Sequence, residues 1–132
     1  MENQTKQQKR AKFALEKISE FKGSNGHEGL SPKDFHDLTK ILVSMPNMIL
    51  SNGIGQTLAF LLAKQDKHKK AFDIIKKWIL GNGFNIEGND DLDFLKSFSQ
   101  IDQKKYLEIQ NETLRLMEWL KRYARAFDEY EE

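Results

Sequence analysis

Cysteine is missing from the 132 residues of this chain, which excludes disulfides and thiolate metal sites and agrees with a reducing cytosol. Long apolar runs are missing too. The longest, Ile54 to Ala63, is interrupted by Gln56 and Thr57 and falls short of the about 20 residues needed to span a bilayer. No secretory signal is legible, because Lys6, Lys9, Arg10 and Lys12 lead into an amphipathic pattern rather than an apolar core. The expectation is a cytoplasmic protein with no membrane partner. An excess of one charge is also lacking: 21 Lys and Arg stand against 20 Asp and Glu, for a net charge of +1. That sum hides a dipolar distribution. Lys64, Lys67, Lys69, Lys70, Lys76 and Lys77 are opposed locally only by Asp66 and Asp73, while Glu87 to Asp93 and Asp128 to Glu132 are acidic.

The motifs of common active sites are absent as well. His27, His36 and His68 occur in no His-Glu-x-x-His or His-x-His arrangement and read as surface or boundary histidines. Asn52-Gly53-Ile54-Gly55-Gln56 contains Gly-x-Gly, yet no strand precedes it and no Gly-Lys-Ser/Thr follows, so packing explains it better than nucleotide binding. Ser44, Ser51, Ser97 and Ser99 have no histidine nearby in sequence. Asp90-Asp91-x-Asp93 lacks the rest of a calcium loop and sits at a helix start, where capping and the helix dipole favour acidic residues. The expectation is a protein that is not an enzyme and holds no cofactor.

What the chain does have is helical periodicity. Ala11, Ala14, Leu15, Ile18 and Phe21 recur at helical spacing over residues 3–21. A glycine-rich loop follows at 22–29. Ser31 and Pro32 then open a second helix whose buried face is Phe35, Leu38, Ile41 and Leu42. Pro46 is expected to end that helix and begin a central one reaching Lys64. In the central helix Leu50, Ile54, Leu58 and Leu61 form one face, and Gly55, Ala59 and Ala63 form a ridge of small residues for close helix approach. Its glycines each cost about 1 kcal/mol relative to Ala, so either they permit a close contact or the helix is broken near Asn52.

A fourth helix, 67–80, buries Ala71, Phe72, Ile74, Ile75, Trp78 and Ile79 and carries Lys69, Lys70, Lys76 and Lys77 on its other side. A short helix covers 92–98. Ser99-Gln100-Ile101-Asp102 has the form of a capping box for a long last helix to about Phe127. Without any strand-like alternation, the fold class is all-α: one domain, a compact bundle of about six helices, five long and one short.

Two groups of basic residues suggest chemistry. Lys69, Lys70, Lys76 and Lys77 lie at i, i+1, i+7 and i+8, a spacing that can meet successive phosphates, although Asp66 and Asp73 share the arc. Lys121, Arg122 and Arg125 form a local cluster on the last helix, where Glu118 with Arg122 and Glu112 with Arg115 have the spacing of ion pairs. Arg10 and Lys12 could extend either patch. Trp78, Trp119 and Tyr106 fall on apolar helix faces and read as core rather than as base-stacking platforms.

Met48 to Leu61 (Met-Ile-Leu-Ser-Asn-Gly-Ile-Gly-Gln-Thr-Leu-Ala-Phe-Leu) and Leu116 to Ala126 (Leu-Met-Glu-Trp-Leu-Lys-Arg-Tyr-Ala-Arg-Ala) resemble the two signature stretches of the small subunit of Cmr effector complexes, the fifth Cmr protein of type III-B CRISPR systems. The Ala11-x-x-Ala14-Leu15 pattern and the length agree. The resemblance implies a non-catalytic subunit of an RNA-silencing complex. Several copies would stack in its minor filament, beside the backbone subunits that hold the crRNA, and would line the channel where guide and target RNA pair. It points to Lys121 and Arg122 as the best candidates for RNA or subunit contact, and to Lys64 next. It also marks Asn52, Gly53, Gly55, Ala59, Phe60 and Trp119 as architectural. The competing expectation is a helical scaffold that touches only protein, its basic faces meeting acidic ones such as Asp128 to Glu132 of a neighbouring copy.

Overall fold

A computed structural model describes residues 4–23 and 28–131; His27 and the middle of the glycine-rich loop lie outside the described residues. Five helices and no strand occur among those described, as the all-α expectation requires. Most begin where a side chain occupies otherwise unpaired N–H groups. Ahead of α1 (Lys6–Lys22), Thr5 Oγ1 accepts from the Gln8 N–H at 3.1 Å while Gln8 Oε1 accepts from the Thr5 N–H at 2.8 Å. The next helix, α2 (Pro32–Lys64), starts as expected, with Ser31 Oγ accepting from the Asp34 N–H at 3.1 Å. α3 spans Asp66–Leu80. Asp90 caps α4 (Asp91–Ser99) through the Asp93 N–H at 2.8 Å. For α5 (Gln103–Phe127) the cap is Asp102, which accepts from the Lys105 N–H at 2.8 Å. The box expected at Ser99 is therefore displaced: Ser99 closes α4 and donates to the Lys96 carbonyl at 2.8 Å.

With α2 taken as two segments the count among the described residues matches the expected six, but the break is not where it was expected: Pro46 does not end a helix. It lies inside α2, and the one non-helical residue there is Gly53, at φ 85°, ψ 159°. An interior proline costs about 3 kcal/mol. Around it Leu42, Met45 and Ile49 are each at most 1% exposed, and each such side chain stabilises by about 1.5–3 kcal/mol, so packing outweighs the loss. Gly53, in contrast, occupies backbone space open essentially only to glycine. Beyond it the freed N–H groups are caught from α5: Gln110 Oε1 accepts from Ile54 and Tyr106 Oη accepts from Gly55, both at 2.9 Å. Thr57 Oγ1 donates to the Gly53 carbonyl at 2.9 Å.

Both alternatives left open by the sequence thus hold. The helix is broken, and Gly55 admits a close neighbour, since a Cβ there would stand 3.3 Å from Tyr106 Oη. The small-residue ridge stops at that point. Ala59, Ala63 and Asn52 are exposed, and Leu50 is 67% exposed rather than part of a buried face.

The helices form two units, Met1–Pro46 with Arg115–Glu132, and Asn47–Leu114, so α2 and α5 each contribute to both. In the first unit the buried side chains include Ala14, Ile18, Phe35, Leu38, Leu116 and Leu120. There His36 Nδ1 meets the Asp128 carboxylate at 2.7 Å and the C-terminal Tyr130 ring lies 5.1 Å from His36. In the second unit Phe72, Phe94, Phe98 and Tyr106 form a chain of ring contacts at 6.1, 6.1 and 5.6 Å. Trp78 is buried there as expected, and its indole N–H donates to the Glu112 carboxylate at 3.1 Å.

Candidate nucleic-acid interface

The two basic groups singled out in the sequence meet different fates. On α3, Lys69 Nζ lies 2.6 Å from Asp73 and 3.2 Å from Asp91, and Lys76 Nζ lies 3.0 Å from Asp91 and 3.3 Å from the Asn89 carbonyl. Asp91 opens α4, so its helix start delivers a carboxylate to two lysines at once. Both also lie over aromatic faces, with the Lys69 ammonium 5.6 Å from the Phe72 ring and that of Lys76 5.8 Å from Phe94.

The titration behaviour follows from these contacts. The hydrogen bond to Asp73 raises the pKa of Lys69 above its ordinary value; burial opposes this and Asp91 reinforces it. For Asp91 burial alone would raise the pKa, but the hydrogen bonds from Lys76 and Lys69 outweigh it and hold the carboxyl below the ordinary carboxylate value. Lys70 and Lys77 also have partners within the chain. Lys64 is exposed, its ammonium 5.6 Å from Phe60, a ring that is itself 39% exposed and not core.

On the first unit the arrangement is different. Gln7 and Arg10 from α1, with Arg115, Glu118, Trp119 and Arg122 from α5, line a groove of about 460 Å³. The four α5 residues stand at i, i+3, i+4 and i+7 and so share one face of the helix. Arg10 is only 5% exposed, whereas Arg115 and Arg122 are exposed and Trp119 is half-buried. The Trp119 ring is backed by Tyr123 at 5.8 Å and 34°. Glu118, the one carboxylate of the groove, lies 3.0 Å from Lys121 Nζ.

Several sequence expectations change here. Trp119 is a groove wall rather than a core side chain. Glu118 pairs with Lys121 instead of Arg122, so Lys121 is the neutralised member of that cluster. Glu112 serves Trp78, which leaves Arg115 among the groove residues. Arg10 is buried, so it forms the groove's floor rather than extending a surface patch. Arg125 is exposed but does not line the groove. The i, i+4, i+7 spacing of Arg115, Trp119 and Arg122 was the legible signal, obscured by assigning each arginine to a same-helix glutamate. Among the described residues no group of three or more His, Asp or Glu could hold a metal ion, and no helix is long and apolar enough to cross a membrane.

The family model for the CRISPR-associated Cas_Cmr5 proteins matches residues 6–127. The chain belongs to that family. The resemblance carried by the Met48–Leu61 and Leu116–Ala126 stretches is therefore sustained over nearly the whole length. Among solved structures, a CRISPR-associated Cmr5 family protein from Thermus thermophilus is similar to this chain with a TM-score of 0.73 at 24% identity, covering 96% of this chain and 100% of that one. That likeness establishes a shared helical fold. No curated protein matches the chain significantly. Within this Cas_Cmr5 member both signature stretches bear on the points described above: the first contains the Gly53 break, and the second supplies Trp119 and Arg122.

Proposed function

We propose that this chain is the non-catalytic small subunit of a cytoplasmic type III-B (Cmr) crRNA-guided RNA-silencing complex. In this reading further copies stack with it in a filament beside the crRNA-binding backbone subunits, and its basic groups touch guide or target RNA. The observation that carries the reading is the family match over residues 6–127. The groove charge supports RNA contact, with Arg115 and Arg122 exposed beside a Glu118 already engaged by Lys121. A chain of net charge +1 supplies few phosphate contacts alone, so affinity becomes appreciable when copies are arrayed.

The test has two parts. A tagged copy should co-purify with other Cmr subunits and a guide RNA, and ultraviolet crosslinking of the assembled complex should attach RNA to this chain. Failure to co-purify would sink the assignment. A second reading, a protein-only scaffold, is favoured by the neutralised lysines of α3 and by Leu50 and Leu92, which are 67% and 63% exposed. Co-purification without any RNA crosslink to this chain would establish it.

A further inference from the structure

We propose that the groove between α1 and the last turns of α5 holds one unpaired nucleotide of the RNA, its base stacked on Trp119 and its flanking phosphates on Arg115 and Arg122. The inference rests on the RNA-contact reading above and deepens it. Arg115 and Arg122 are seven residues apart on α5, which is about 10 Å along a helix axis, with Trp119 between them. That order, cation, ring, cation, is the order of phosphate, base and phosphate along a single strand. Tyr123 at 5.8 Å backs the Trp119 ring, so the ring has a fixed position against which a base can settle. The groove's about 460 Å³ lies within the roughly 300–1,000 Å³ of small-ligand sites.

The electrostatics select an anion. Two exposed guanidinium groups, Arg115 and Arg122, share the groove with one carboxylate, Glu118, and Lys121 lies 3.0 Å from that carboxylate. Guanidinium forks suit phosphate oxygens bidentately. Arg10 is 5% exposed and has a partner within the chain, so it lines the groove without adding to the charge available there. A base within a duplex already has neighbours on both faces, so only an unpaired or flipped-out nucleotide can use Trp119. An acidic protein segment would engage the arginines and leave the indole idle, which is what the test separates.

The test uses the assembled complex with target RNA carrying 5-iodouridine in place of uridine, irradiated and mapped by mass spectrometry. The expected adduct is on Trp119. Adducts on this chain at other residues only would overturn the stacking proposal while leaving RNA contact standing; no adduct on the chain at all, in a complex that binds target, would remove both. In parallel, the full chain at low salt is titrated with single-stranded oligouridylate. Tryptophan emission should be quenched, and the quenching should disappear in Trp119→Phe, which leaves only Trp78 to report. Affinity should fall roughly 5- to 150-fold in Trp119→Ala, the range for losing one stacked base, and much less in Trp119→Phe, which keeps a ring. Wild-type affinity in Trp119→Ala, with an unchanged circular dichroism spectrum, would overturn the proposal. So would equal quenching by a fully paired duplex.

Discussion

The lysines of α3 and the arginines of the α1–α5 groove look equivalent when charge is counted along the chain, and the folded protein treats them oppositely. Lys69 and Lys76 converge on Asp91, which opens α4 and lies 22 and 15 residues away. Their charge is satisfied internally, and their ammonium groups lie over the Phe72 and Phe94 rings. Arg115 and Arg122 stand exposed on either side of an indole ring, and the nearby glutamate is engaged by a lysine. A dense basic segment is therefore no guide to where an anion will bind. Availability depends on which carboxylates the tertiary fold brings in, and an ion pair made at a helix start diverts lysine charge into holding two helices together.

Charge reversal at both places breaks the comparison most directly. Arg115→Glu with Arg122→Glu should lower target-RNA affinity of the assembled complex roughly 10- to 100-fold and flatten its salt dependence by about one unit of slope for each phosphate no longer neutralised. Lys69→Glu with Lys76→Glu should change that affinity by no more than about 3-fold, because these lysines neutralise few phosphates, while lowering the melting temperature through repulsion with Asp73 and Asp91. Filter binding across a salt series, with a thermal melt of each variant, reads both. Equal losses from the two pairs would erase the distinction drawn between the regions.

Converting one region into the other is a smaller effect. Asp91→Ala removes the shared partner of Lys69 and Lys76 and an acidic residue from the first turn of α4. Two partly exposed ion pairs and a favourable dipole contact together represent about 1–2 kcal/mol, so the melting temperature should drop by several degrees. The two released lysines should at the same time steepen the salt dependence of single-strand binding, by about 0.7 for each additional phosphate they neutralise. A destabilised variant with an unaltered salt slope would mean that geometry, and not Asp91, keeps these lysines from RNA.

How much of this was legible in the sequence follows the range of the interactions. Local signals were read well: the Ser31-Pro32 start of α2, the acidic start of α4, the glycine stop after α3 and the burial of Trp78 all depend on neighbours within a few residues. Pro46 does not end its helix, against the local expectation from proline's heavy penalty, because burial of Leu42, Met45 and Ile49 overrides it; the break left open near Asn52 falls at Gly53, where Tyr106 and Gln110, over fifty residues downstream, stabilise it. The same limit hid Asp91 from its lysines. For the groove, α5 alone presented Arg115, Trp119 and Arg122 on one face, but periodicity does not distinguish an indole that faces a core from one that walls a groove. Only α1, packed alongside through Gln7 and Arg10, makes that difference.

The least effect, and the one that isolates the α3–α4 network without touching the groove, is its pH dependence. Asp91 has a lower pKa folded than unfolded, so the stability it contributes is fully present above the ordinary carboxylate value of about 3.9 and is lost as pH falls through the folded value. Lys69 is shifted the other way: its contribution is present below the ordinary lysine value of about 10.4 and is lost as pH rises through the still higher folded value. Between about pH 5 and 9 neither group changes charge, and the difference in melting temperature between wild type and Asp91→Ala should be constant. Below about pH 4 it should shrink, by an amount corresponding to less than about 1 kcal/mol, because the Asp91 and Lys69 side chains are 29% and 28% exposed and solvent screens the pair. Taking the difference cancels the other carboxylates, which titrate alike in both proteins. A gap that widened on acidification would mean that protonated Asp91 holds α3 to α4 better than the carboxylate does, and the lysines of α3 would then have to be counted as available charge after all.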